Sequence, residues 1–127
     1  MTNRNKSIGT FNETEITNWL ISKGWVFAKR LTQKGAKDEG DISLGDGIAV
    51  TVEAKRTKAV TLSQWMRELA DEMENRGDDV GFVVAKKRGT TDVGEYYCIM
   101  PMKVVILLLR RAGYAPARPK IRRKSRS

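Results

Sequence analysis

Residues 40–55, GDISLGDGIAVTVEAK, restrict the fold more than any other stretch of the chain. Ile48, Val50, Val52 and Ala54 alternate with Ala49, Thr51, Glu53 and Lys55. That is the period of a strand, on which successive side chains point to opposite faces. Leu44 and Ile48 flank Gly45-Asp46-Gly47, a glycine-rich hairpin turn. Counting back from the turn sets Asp41 opposite roughly residues 51–53 of the returning strand. Glu53 and Lys55 share one face, so the hairpin gathers two carboxylates and an ammonium at one end.

The rest of the chain supplies elements to cover such a hairpin. A helix is expected from about Phe11 to Lys23, with Thr10 and Glu13 as a capping box, Ile16, Trp19 and Leu20 as its apolar stripe, and Gly24 as its stop. Trp25 to Lys29 alternates and reads as a first strand. Residues 32–40 form a lysine- and glycine-rich loop. Leu62 to Arg76 reads as a second helix, with Thr61 and Gln64 as a capping box and Leu62, Trp65, Met66, Leu69 and Met73 on its apolar face. Val80 to Ala85 is a buried strand, and the basic turn Lys86-Lys87-Arg88-Gly89 follows it. Glu95 to Met100 is a further strand, stopped by Pro101. Met102 to Arg111 is a last helix, apolar nearly all round, as suits burial in a core or at a subunit interface. The order α-β-β-β-α-β-β-α gives a single-domain α/β fold, a mixed sheet flanked by helices. Residues 1–9 are expected to be a flexible basic N-terminus, 10–113 the folded domain, and 114–127 a disordered basic tail. Trp19, Trp25 and Trp65 belong to apolar patterns and are expected in the core.

Composition narrows the chemistry. With 40% hydrophobic and 31% charged residues over 127 positions, the chain is globular. Its net charge of +9 favours a polyanionic partner. Arg118, Lys120, Arg122, Arg123, Lys124 and Arg126 carry much of that charge, so specific binding must come from a basic patch within the body. The tail is expected to add salt-sensitive, non-specific affinity. The absence of histidine excludes zinc–histidine sites and a histidine general base. A single cysteine, Cys98, excludes a disulfide framework, and its apolar strand suggests a buried, inert thiol. The start of the chain has no signal-like apolar segment, and Val104 to Leu109 is too short to span a bilayer, so a cytoplasmic protein is expected.

Asp41 and Glu53 suit a hard divalent cation, which prefers carboxylate oxygens and lowers the pKa of a bound water. The Ala54 carbonyl lies between Glu53 and Lys55, and Lys55 is placed to orient the water or to stabilise charge on a phosphate. Glu13 falls about 20° from Leu20 around the helix, inside the apolar stripe, where an acid needs a partner or a cation. Helix capping competes for the same glutamate. Arg30, Lys34, Lys37, Lys86, Lys87 and Arg88 are candidates for phosphate contact with a polyanionic partner, the cluster Lys86–Arg88 foremost.

Taken together, Gly9-Thr10-Phe11-Asn12-Glu13, Gly40-Asp41-Ile42 and Glu53-Ala54-Lys55 resemble the PD-(D/E)XK nuclease superfamily. Within it they are similar to the archaeal Hjc-type and phage Holliday junction resolvases, over about residues 6–111. The resemblance implies a restriction-endonuclease-like fold and an active-site quartet of Glu13, Asp41, Glu53 and Lys55. It also implies Mg2+ or Mn2+ as cofactor, with Asp41, Glu53, Ala54 and Glu13 around the metal. A homodimer cutting opposed strands of a four-way DNA junction in recombination, in a cellular or phage-infected cytoplasm, follows by the same likeness. Gly40 stands where the proline that names the superfamily would be. Two alternatives stay open: another nuclease of the superfamily, of repair or restriction type, and a non-catalytic DNA-binding module of the same fold.

Overall fold

The protein is described by a computed structural model covering residues 2–32, 37–56 and 59–116, with side chains from Ile8 onward. Its elements are α1 (Thr2–Ser22), β1 (Lys29–Arg30), β2 (Ile42–Ser43), β3 (Val50–Lys55), α2 (Leu62–Arg76), β4 (Val80–Ala85), β5 (Tyr97–Ile99) and α3 (Met102–Arg111). A 3-10 turn over Val93–Glu95 precedes β5. The five strands form one open sheet in the order β1-β2-β3-β4-β5. Only β3 and β4 run parallel, and α2 is the crossover between them, the connection a parallel pair requires. The hairpin read from the sequence is present, with Ile42 opposite Val52 and Asp41 N–H donating to the Val52 carbonyl.

Strand alternation divides the core. Val52 and Ala54 face α1, packing with Ile16, Leu20, Ile42, Leu44 and Val84. On the opposite face Trp65, Leu69 and Met73 of α2 join Val83, Ala85 and Val104. Thr51, Glu53 and Lys55 also point that way, toward α2. Leu69 is wholly enclosed. Leu69→Ala is therefore expected to cost about 2–5 kcal/mol, through lost transfer energy and the cavity left behind, read as a lower urea midpoint at unchanged m-value.

Several expectations need correction. α1 begins at Thr2, so residues 2–9 are helical, Gly9 lies inside the helix, and Thr10 and Glu13 are not a capping pair. Residues 25–27 form a turn, closed by Ala28 N–H on the Trp25 carbonyl, and the first strand is Lys29–Arg30. β2 offers pairing only to those two residues, so Trp25, Val26 and Phe27 stay exposed. Trp19 is half-buried and Trp65 alone is a core tryptophan. Thr61 makes no side-chain cap to α2, and Gln64 turns along the helix instead, donating to Glu68. α3 buries only Val104 fully, leaving Met102, Ile106 and Leu109 exposed. Cys98 is exposed, because β5 is the outer strand and pairs only with β4. The tail beyond residue 116 and Lys34 lie outside the described residues.

Candidate metal and active site

Asp41 is the hub of the site. It enters β2 directly after Gly40, and its Oδ2 accepts the Ala54 N–H at 2.9 Å. That bond ties the acid to the middle of the Glu53-Ala54-Lys55 stretch. Its carboxyl is also within hydrogen-bonding reach of Glu53. Glu13 is close enough for the Asp41 charge to act on it, while Arg30 Nε donates to Glu13 Oε1 at 3.2 Å. Helix α1 and strand β1 thus deliver one ion pair to the site, and β2 and β3 deliver Asp41, Glu53 and Lys55. With the helix already under way at Thr2, capping no longer accounts for Glu13.

On the α2 side, Lys55 Nζ lies 3.5 Å from Glu53 Oε2 and 3.0 Å from Glu68 Oε1. Gln64 Nε2 holds the other oxygen of Glu68 at 3.0 Å. Glu72, 2% exposed, reaches hydrogen-bonding distance of Glu53, which is itself 8% exposed. Each of these two carboxyls keeps a buried Oε1 with no hydrogen-bond partner among the described residues. Asp38 completes a group in which one oxygen each from Asp38, Glu53 and Glu72 lies within 4.8 Å of the others. Asp38 is fixed from two directions. Its Oδ1 accepts the Gly40 N–H at 2.9 Å, and its carbonyl accepts Asn75 Nδ2 of α2 at 2.8 Å.

The electrostatics follow from burial. Desolvation first, then the charges of Asp41 and Glu72, push the Glu53 carboxyl up to about 10. Burial also raises Glu72, to about 7, with Asp38 adding to the effect. Asp41 and Glu13 are raised as well, desolvation again being the largest cause in each. At 4.8 Å and an effective dielectric of about 20, two ionised carboxylates repel by roughly 3 kcal/mol. Without a counter-cation the site must therefore retain protons. For Lys55 burial pulls downward, but the Glu68 hydrogen bond and the charges of Glu53 and Glu68 outweigh it, so the ammonium is favoured. Glu68 is held below the usual carboxylate range by Gln64 and then Lys55.

The basic candidates divide. Lys86 N–H donates to the Lys55 carbonyl at 3.0 Å, which puts the basic turn at the same sheet end as the site. The Lys86 ammonium, however, is spent on the carbonyls of Lys87 and Thr90 and on the Tyr96 ring face. Lys87 lies over the Tyr97 ring, and Arg88 is exposed. Arg30 is committed to Glu13, and Lys37 is exposed beside Asp38. Sequence reading missed Asp38, Glu68 and Glu72. The recurrence of Gln64, Glu68 and Glu72 at i, i+4 and i+8 was the available signal, one polar stripe on a helix whose other stripe is apolar. No protein-family model, curated protein or solved structure matches this chain, so its assignment rests on its own residues. No described helix is long and apolar enough to cross a membrane.

Proposed function

We propose that this chain is a metal-dependent DNA endonuclease of PD-(D/E)XK type that resolves four-way junctions. The observation that carries the reading is Asp41, hydrogen-bonded to Ala54 N–H and drawn against Glu53, with Glu13 within its field and Lys55 held cationic alongside. The buried Glu53 Oε1, without a donor, fits a hard cation, which prefers oxygen ligands. The chain has no histidine to serve as base, and metal-assisted hydrolysis needs none. Asp41, Glu53, the Ala54 carbonyl and Glu13 would hold Mg2+ or Mn2+. When bound, that ion supplies an acidified water and neutralises charge on the leaving oxygen.

The chain's own groups do the rest. Lys55 orients the attacking water or stabilises the phosphate as negative charge builds on it, and Glu68 with Gln64 restricts its ammonium to one place. Glu13 positions the metal-bound water, and Arg30 fixes Glu13. Lys87, Arg88 and Lys37 remain for phosphate contact along the sheet end. Two such sites in a homodimer would cut opposed junction strands, and the exposed Met102, Ile106 and Leu109 of α3 offer it an apolar face.

The test uses a synthetic four-way junction and a linear duplex of the same arm sequence, each with Mg2+. Paired symmetric nicks in the junction alone, lost in Asp41→Asn while binding survives, are expected. Equal cutting of both substrates would keep the nuclease and discard the junction. Tight binding without scission at any concentration would favour the binding module. A strict monomer by light scattering would remove the dimer.

A further inference from the structure

We infer that Asp38, Glu53 and Glu72 form a second divalent-cation seat, sharing Glu53 with the Asp41 side of the site, that clamps helix α2 to strand β3 and to the loop entering β2. It goes beyond the proposed activity, because the ion can bind whether or not DNA is cut. Three observations support it. The three carboxyls come from three different elements and bring their oxygens within 4.8 Å. Glu72 is 2% exposed, so its carboxyl has no access to bulk water as an alternative partner, and its Oε1 and that of Glu53 are both buried without a donor. Asp38 is aimed by two hydrogen bonds that leave its second oxygen free of them, one from Gly40 N–H and one from Asn75 to its carbonyl. A loop residue anchored on α2 in this way is preorganised as a ligand.

The donor set identifies the class of ion. All three ligands are carboxylate oxygens, and the chain contains no histidine while its one cysteine lies on the edge strand β5. Such a set suits Mg2+, Mn2+ or Ca2+, not a metal that selects nitrogen or sulfur. The competing arrangement is a carboxyl pair sharing protons, in which Glu72 and Glu53 hold each other without metal. The two differ in what is bound, so they can be separated directly.

The full-length chain is titrated with Mn2+, counting bound ions by electron paramagnetic resonance, and melted with and without Mn2+. Wild type, Glu72→Gln, Asp38→Asn, Asp41→Asn and Glu53→Gln are compared. Two ions per chain are expected in wild type, falling to one in Glu72→Gln and in Asp38→Asn, with the affinity of the lost site down about tenfold or more. Asp41→Asn should keep the clamp ion and its thermal stabilisation, and Glu53→Gln should lose both ions. If Glu72→Gln and Asp38→Asn leave the ion count and the Mn2+-induced stabilisation unchanged, the inference is overturned, even if Asp41→Asn abolishes cutting. If their ions are lost while no DNA is cut by any form, the clamp stands and the nuclease reading falls. Should Glu72→Gln fail to fold, Asp38→Asn, which alters only an exposed loop residue, decides alone.

Discussion

Glu53→Gln is expected to abolish cleavage and, in the metal-free protein, to raise stability above neutral pH. On the proposed nuclease reading, the first effect follows from removing a proposed metal ligand and the carboxyl that faces Lys55, and should lower the rate by about 100-fold or more. The second follows from proton linkage. Burial raises the folded-state pKa of Glu53 to about 10, from the ordinary carboxyl value of 4.5. A carboxyl raised on folding favours the native state below its unfolded pKa, and that contribution drains away as pH climbs toward the folded value. Glu72, Asp41 and Glu13 are all shifted in the same direction, so wild type should weaken steadily between about pH 5 and pH 9. Each fully linked proton changes the slope by about 1.4 kcal/mol per pH unit. Glutamine keeps the shape and cannot ionise, so the variant should show a shallower decline. Thermal melts at pH 5 and pH 8.5, without metal, measure this. A wild-type Tm independent of pH, or a variant that falls as steeply, would contradict it.

Gly40→Pro should be the most damaging single change in the loop before the site. Gly40 has φ of +95°, which proline cannot adopt. A Cβ there would meet the Val52 carbonyl oxygen at 2.9 Å, and the Gly40 N–H that holds Asp38 would be gone. Together these are expected to cost about 3 kcal/mol or more, and Gly40→Ala, which keeps the N–H, about 1–3 kcal/mol. Urea denaturation reads both, and a proline variant as stable as wild type would sink the idea. Position 40, where the pattern this sequence resembles would carry a proline, is thus one this backbone requires to be glycine.

Much of the fold was legible because its elements carry their own period. The alternation from Val50 to Lys55 and the spacing of Trp65, Leu69 and Met73 lie where strand and helix lie, although Ile48 and Ala49, read with the strand, belong to the turn before it. Trp25 to Lys29 misled because alternation says nothing about whether a partner strand reaches it. The start of α1 was misjudged because Gly9 and Thr10 look like a boundary, yet the helix runs through them. Within the site, Asp41, Glu53 and Lys55 could be found from the turn alone, since register follows from counting. Asp38, Glu68 and Glu72 could not, for Glu68 and Glu72 join the others through the packing of α2 over β3, and Asp38 through a loop fixed by Gly40 and Asn75. Lys86 looked free in the sequence, and only the fold reveals the carbonyls that occupy it.

Helix α2 carries the acids that reach the site and its core anchors on adjacent stripes, Glu68 and Glu72 with Gln64 beside Trp65-Leu69-Met73. Mutational freedom along it should therefore be confined to a third face, where Ser63, Arg67, Ala70, Asp71 and Glu74 are exposed. A substitution scan across the helix would then read as a three-fold barcode: one stripe tolerating almost any residue, one penalised in abundance, and one penalised in chemistry while abundance holds.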